Sequence, residues 1–339
     1  MLPDDTRQLG STDVRLPALG FGGATLGNAH GAVDEEQAMR TMEAAWDAGL
    51  TYFDTAPMYG SGLSEHRLGN LLRQKPRDAF VLSTKVGRVL RRPANPEGHR
   101  DPDPLGALPF ETHFDYGYDG IMRSYEDSLQ RLGLTSVDML LIHDLESRYL
   151  NDEAIVGEQM GALERDGWKA LEALRAGGQI RAIGAGVNQR VSMTRFLERF
   201  ALDFLLIALP YTLLDQASLH EEMALCAERD VGLVIGAPYW YGLLTLDADD
   251  PAQRERWAGH PKFERAMAFD AVCRGHGVPL KAAALQFPLG HPSVANVLSG
   301  PSSPEQLRDN VAMMTHEIPD ALWRELKSEG LLCDDAPTP

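Results

Sequence analysis

The sequence predicts an α/β fold: a closed (β/α)8 barrel of parallel strands, with long loops gathered at its C-terminal face. Three observations predict it. Eight short runs dominated by Val, Ile, Leu and Phe are spread over the 339 residues, and such unbroken apolarity suits strands covered on both faces. Helical patterns separate the runs, so successive strands are joined by crossovers and lie parallel. Polar and ionisable residues recur where the apolar runs end, and in a parallel barrel those ends share one face.

The runs fall at 16–22, 51–55, 79–85, 137–143, 181–186, 203–209, 232–237 and 294–299. After the first, Asp34 with Gln37 three residues on reads as an N-cap and its capping partner. Ala38, Met42, Ala45 and Trp46 then share a helix face, and Gly49 ends the helix. After the third, Met122, Tyr125, Leu129 and Leu132 repeat the stripe, closed by Gly133. After the eighth, Ser303-Pro304-Glu305-Gln306 supplies an N-cap, a first-turn proline and a capping partner, with Leu307 and Val311 facing inward. Two stretches break this rhythm. Residues 87–118 are rich in proline and glycine and exceed the roughly 15 residues beyond which a loop is usually functional or disordered. Their aromatics, Phe110, Phe114, Tyr116 and Tyr118, favour an ordered lid. Residues 239–262 are similar and open with Tyr239-Trp240-Tyr241. Neither stretch resembles a domain boundary, so residues 1–339 are expected to form a single domain.

A formal net charge of −17 argues against nucleic acid or an anionic membrane as partner, since both would be repelled at long range. Cys226, Cys273 and Cys333 form no CxxC pair and no even-numbered framework, which fits a reducing compartment. The opening MLPDDTRQLG lacks the pattern of a signal peptide. No apolar run approaches the roughly 20 residues needed to cross a bilayer. The expectation is a cytoplasmic monomer or homodimer acting on a small molecule. The ten histidines are scattered without HxH or HExxH spacing, so no metal is expected.

Asp54, Tyr59, Lys85 and His143 stand at or just beyond the ends of TYFDT, VLSTK and MLLIH. A tyrosine titrates near pH 10 in water, too high for efficient proton transfer at neutral pH. An adjacent ammonium favours the phenolate, and a carboxylate beside that ammonium keeps it charged and in place. Lys85 and Asp54 are therefore expected to lower the pKa of Tyr59, while His143 donates a hydrogen bond to the substrate oxygen. Taken singly, each residue has a plainer role. Asp54 can cap a turn, Tyr59 can pack in one, Lys85 can sit at the surface, and His143 beside Asp144 can be a satisfied structural histidine. Their joint position at successive strand ends favours acid–base chemistry at a carbonyl or carbinol.

The segments GFGGATLG (20–27), DAGLTYFDTAPMYGSGLSEHRLG (47–69), LSTKVG (82–87), LLIHDLE (140–146), IRAIGAGVN (180–188), YTLLDQ (211–216) and SPEQLRDN (303–310) together resemble the aldo-keto reductases over nearly the whole chain. The resemblance implies a TIM barrel that binds nicotinamide dinucleotide without a Rossmann domain, and gives Asp54, Tyr59, Lys85 and His143 the family's catalytic roles. The insert ending in FDYGYDGIMRSYEDSLQRLG and the segment AAALQFPLGHPSVANVLSG look like one branch. That branch contains the D-threo-aldose (L-fucose) 1-dehydrogenases and pyridoxal 4-dehydrogenases, which oxidise a cyclic hemiacetal carbon to a lactone.

By the same likeness Gly22, Asp54 and Asn188 are expected to contact the cofactor, Asn188 meeting the nicotinamide carboxamide, with sheet-end packing as its plainer role. Gly300, Ser302, Ser303 and Gln306 are expected at the cofactor, where a helix N-terminus offers free N–H groups to a phosphate, an ordinary capped helix being the plainer reading. Asp309 and Asn310 are expected at the adenine, with helix-surface polarity as their plainer reading. The chain departs from the family in two places: its amide-binding glutamine falls near Ala208, and its stacking tyrosine falls at Gly236 or Ala237, with Tyr239 the nearest substitute. NADP-preferring relatives carry basic residues near 300–303 and 306. Here those places hold small or neutral side chains, and Arg308 reads as a solvated helix charge, so NAD is expected over NADP.

The leading expectation is an NAD-dependent oxidoreductase acting at C1 of an aldose such as L-fucose, with Tyr59 as acid/base, His143 on the same oxygen, and Tyr239 and Trp240 against the substrate. Pyridoxal 4-dehydrogenase and a general aldehyde or ketone reductase are same-chemistry alternatives. Arg88, Arg91 and Arg92 are either an anion contact or, the plainer reading, a solvated basic loop. A non-catalytic nicotinamide-binding regulatory subunit is the reading from another class.

Overall fold

The computed structural model describes residues 2–29, 31–95 and 106–339. Eight parallel strands close into a barrel: β1 (Leu19–Gly22), β2 (Tyr52–Asp54), β3 (Val81–Val86), β4 (Met139–His143), β5 (Ala182–Val187), β6 (Phe204–Ala208), β7 (Gly232–Gly236) and β8 (Val294–Ser299). Each strand pairs with its neighbours in sequence, and β8 returns to β1. All eight lie within or against the apolar runs of the sequence. The first run divides. Arg15–Pro17 pairs antiparallel with Thr6–Gln8 instead, and Pro17, with no N–H to offer a ladder, ends that hairpin before β1 begins.

Two layers of core follow from the alternation of side chains along a strand. One set, including Tyr52, Met139, Leu141, Phe204 and Val234, fills the barrel, and Leu9, Val14 and Leu16 of the N-terminal hairpin join it. The other set, including Phe53, Leu82, Leu140, Ile142 and Ile183, faces the surrounding helices. The helices α1 (Glu35–Asp47), α2 (Leu63–Leu72), α3 (Tyr118–Leu132) and the later α4 (Pro304–Thr315) begin and end largely as their caps require. Asp34 accepts from the Gln37 N–H, and Ser303 does the same for Gln306 ahead of Pro304. In α3 the buried face is centred on Ile121, Ser124, Tyr125, Ser128 and Leu132, so Met122 and Leu129 lie at its margin.

Part of the long insert after β3 folds as a second hairpin, Arg88–Arg91 against Glu111–Phe114. Residues 96–105 of the expected lid lie outside the described residues. Of its aromatics, Tyr116 is buried and Phe114 packs against the core, whereas Phe110 and Tyr118 are exposed. The second long segment contains a short 3-10 turn at Trp240–Thr245 and a helix at Pro251–Trp257. No helix among the described residues is long and apolar enough to cross a membrane.

Candidate active site

Strand parity explains how the four residues meet. Asp54 is two residues beyond Tyr52, Lys85 two beyond Ser83, and His143 two beyond Leu141, so all three point into the barrel at its C-terminal mouth. Tyr59 enters from the turn after β2. Lys85 Nζ donates to Asp54 Oδ2 at 2.7 Å, to the Thr55 carbonyl at 2.9 Å and to the Tyr59 hydroxyl at 3.1 Å. The other Asp54 oxygen accepts from Ser83 Oγ at 2.6 Å. The Tyr59 and His143 rings meet edge to face, with centroids 5.8 Å apart.

Burial changes the electrostatics expected of this group. It is the largest influence on Tyr59 and favours the neutral phenol; the Lys85 ammonium pulls the other way without overcoming it, and Asp54 reinforces the burial. The net direction is upward, which corrects the expectation of a lowered Tyr59. Burial alone would lower Lys85, yet Asp54 and Tyr59 together raise it, so the ammonium is retained. His143 is pushed down to about 4, chiefly by burial, with Arg88 adding to the effect and Asp144 opposing it. Its ring is neutral, and its Nε2 lies 3.1 Å from Asp144 Oδ2. The ring nitrogen expected to face a substrate oxygen thus already faces a carboxylate of the chain.

Arg88 overturns the expectation of a solvated basic loop. It is buried, 2.7 Å from Asp144 through Nη2, with Met58 Sδ accepting from Nη1. The reason is local: the hairpin folds Arg88 inward, between the rings of Phe114 and Tyr149. Arg91 and Arg92 remain exposed. Burial disfavours the Asp144 carboxylate, but His143 and Arg88 more than offset this and hold it below the usual range.

The expected dinucleotide residues lie along the same mouth. Gly22 and Gly300 meet at the ends of β1 and β8, where a Cβ on Gly22 would stand 3.3 Å from the Ser299 carbonyl oxygen. Beside them Ser299 Oγ is buried without a partner among the described residues. Ser303 caps α4, and Gln306 reaches back to accept from the Ser302 N–H and hydroxyl at 2.8 and 3.1 Å. Thr25 and Gln37 bind the carbonyls of Pro301 and Ser302, fixing the loop. A side-chain-free cradle, an unmatched buried hydroxyl and a capped helix N-terminus fit a phosphate-bearing cofactor. Asn310 accepts from the Tyr239 hydroxyl at 2.9 Å, and Asp309 pairs with Lys281. Arg308 is exposed and pairs with Glu305. Asn188 gives its amide N–H groups to Asp144 and Glu146, at 2.9 and 2.8 Å. Trp240 is partly buried against His260 and Lys262, its Nε1 unpartnered among the described residues.

Several residues of this network escape sequence reasoning, namely Ser83, Asp144, Glu146 and Lys281, as does the burial of Arg88. Asp144 had a visible signal, an acid directly after the strand-end histidine. The others depend on contacts between distant segments. A separate cavity of about 640 Å³, lined in part by Arg77, Asp138, Gln179 and Arg181, opens at the N-terminal end of the barrel and shares no residue with the site.

Comparison with known proteins agrees with this arrangement. The Aldo/keto reductase family profile matches residues 18–329. The chain is 40% identical over 338 residues to a pyridoxal 4-dehydrogenase of Microbacterium luteolum, covering 97% of this chain and 98% of that one. It is also 40% identical over 334 residues to a D-threo-aldose 1-dehydrogenase of a Pseudomonas species, covering 96% of each. Among solved structures, the holo form of an aldo-keto reductase from Bacillus halodurans superposes with a TM-score of 0.74 at 25% identity, covering 95% of both chains. With the family match spanning nearly the entire barrel and the strand-end residues assembled at one mouth, the chain belongs to the aldo/keto reductase family.

Proposed function

We propose that this protein oxidises the hemiacetal carbon of an aldose such as L-fucose to the lactone, using NAD, in one unit spanning residues 1–339. The observation that carries the reading is the chain from the buried Asp54 through the buried Lys85 ammonium to the half-buried Tyr59 hydroxyl, with spacings of 2.7 and 3.1 Å. It supports Asp54, Tyr59, Lys85 and His143 as the catalytic group. When bound, the oxidised nicotinamide supplies the hydride acceptor and a positive charge that favours the phenolate. Tyr59 exchanges the hydroxyl proton of the reacting carbon. Since burial makes the neutral phenol its resting form, oxidation requires the half-buried Tyr59 to release that proton to solvent first, whereas reduction starts with the donor in place. Lys85, held charged by Asp54, stabilises the phenolate at that moment. His143 limits where the oxygen can lie through its edge-on contact with Tyr59.

Support for NAD over NADP comes from the neutral Ser303 and Gln306 and from the pairing of Arg308 with Glu305 and of Lys281 with Asp309. A 2′-phosphate without cationic partners forgoes charge-assisted hydrogen bonds of about 1.5–3 kcal/mol each. The three free cysteines favour a reducing compartment, and the cytoplasm is the proposed location. Pyridoxal oxidation is the second reading, favoured by the relative of that name at the same 40% identity. A panel of L-fucose, D-arabinose, L-galactose and pyridoxal, each with NAD and NADP, separates them. The expected result is the highest kcat/KM for a sugar with NAD. A higher value for pyridoxal would select the second reading, and equal values for the two cofactors would remove the NAD preference.

A further inference from the structure

Asp144 sits outside the four residues proposed to carry the chemistry, yet it joins two of the expected site residues. Its Oδ2 lies 3.1 Å from His143 Nε2 and 2.7 Å from Arg88 Nη2, and its Oδ1 accepts from Asn188 Nδ2 at 2.9 Å. Arg88 and Asn188 both present donors to this carboxylate, although Asn188 also donates to Glu146 at 2.8 Å, so a second acid stands nearby. Arg88 is itself immobilised, 5.2 Å from the Phe114 ring centroid and 4.8 Å from that of Tyr149. The remaining ring nitrogen of His143, Nδ1, is buried and has no partner among the described residues.

A neutral imidazole has one N–H and two nitrogens on which to carry it. With the proton on Nε2, the donor meets an ionised carboxylate. With the proton on Nδ1, a buried donor goes unsatisfied and the Nε2 lone pair faces the oxygens of Asp144. Both consequences oppose the second tautomer. The geometry points to Asp144, anchored by Arg88, as a positioning residue that keeps the His143 proton on Nε2 and the ring edge-on to Tyr59. The neutral state of the ring is consistent with this, since a tautomer matters only where the imidazole carries a single proton. The inference deepens the proposed function and rests on it for the role of His143 in turnover. The tautomer can be observed with no substrate present, so the two can fail separately.

The test joins spectroscopy to a mutant cycle. Ring-nitrogen NMR of the 15N-histidine protein, assigned with His143→Gln, is expected to show His143 protonated at Nε2 and bare at Nδ1 near neutral pH. A proton on Nδ1 in the wild-type spectrum overturns the proposal whether or not any variant folds. Asp144→Asn is expected to shift the ring towards the other tautomer. It should lower kcat by roughly 10- to 1,000-fold, the span between a lost orienting contact and a wrong tautomer. NAD affinity should change far less, because Asn188 keeps Glu146. In a His143→Gln background the same substitution should change kcat by no more than about 2-fold, as residues acting through one another are non-additive. Additive losses, an unchanged tautomer, or a fall in NAD affinity matching that in kcat would each assign Asp144 a role other than holding His143. If Asp144→Asn does not fold, Arg88→Lys replaces it, with a smaller loss in the same direction expected and full activity with an unchanged spectrum counting against the anchor.

Discussion

Two buried ion pairs of equal length stand side by side at the barrel mouth. Lys85–Asp54 bridges β3 and β2, and Arg88–Asp144 bridges the insert hairpin and the turn after β4, both at 2.7 Å. They leave their neighbours in different conditions. The first ends on a phenol whose ordinary proton affinity is increased by burial; the second ends on an imidazole whose affinity is reduced by it. Burial disfavours whichever form is charged, so it keeps both rings neutral. A cationic neighbour therefore acts oppositely on the two, opposing burial at Tyr59 and reinforcing it at His143. The lesson is that the pairs fix positions and local potential, whereas burial decides the protonation of the two rings beside them.

The largest expected effect comes from removing the phenol hydroxyl at the end of the first pair. Tyr59→Phe should reduce kcat by about 10²–10⁴-fold, the usual share of a positioned acid–base group, while the NAD dissociation constant moves by no more than about 2-fold. Steady-state rates with fluorescence titration of NAD check it, and a Tyr59→Phe enzyme of undiminished kcat would remove Tyr59 from the chemistry.

Breaking each pair from its cationic side sharpens the contrast. Lys85→Met leaves Asp54 with Ser83 as its side-chain partner, whereas Arg88→Met leaves Asp144 with His143 and Asn188. Losing one partner of a buried pair costs about 3–5 kcal/mol. Lys85→Met should fall in that range and Arg88→Met below it, as read by urea denaturation. The reverse order would mean that Arg88 is the better-compensated site's true anchor.

The smallest effect concerns acid. His143 is held at about 4 against an ordinary 6.5. Above pH 6.5 it is neutral in both folded and unfolded chains. Between 6.5 and 4 the unfolded chain takes up a proton that the folded one refuses, so stability falls; below 4 both are protonated and the loss is complete. Asp144 is lowered from 3.8, so its own contribution is lost only beneath that window. His143→Gln should therefore lose less stability than the wild type between pH 6.5 and 4, measured as urea midpoints at each pH. Identical slopes would contradict the burial argument.

The same comparison shows what a sequence can disclose. Asp54, Lys85 and His143 were legible because each closes an apolar run, and the two-residue period then points all three inward. Tyr59 was legible through its turn. Arg88 was not, because its burial depends on a hairpin of two four-residue strands, Arg88–Arg91 and Glu111–Phe114, whose paired ends lie 26 positions apart. Nothing local distinguishes that arginine from Arg91 or Arg92. The direction of the Tyr59 shift was missed for a related reason: proximity to Lys85 could be read from strand ends, whereas the depth of burial, which outweighs it, is set by the whole mouth. On the cofactor side the N-cap at Ser303 was written in the sequence, but Lys281 reaches Asp309 from a different helix.

One backbone angle has a further consequence. Asp144 adopts φ 47°, in the left-handed region. Adjacent residues of a strand ordinarily face opposite ways, and this reversal of hand is what lets consecutive side chains, His143 and Asp144, meet at 3.1 Å. Only glycine, asparagine and aspartate visit that region readily. Of the three residues this main chain favours, only aspartate carries a negative charge, so replacement by either of the other two would keep the turn and remove the carboxylate.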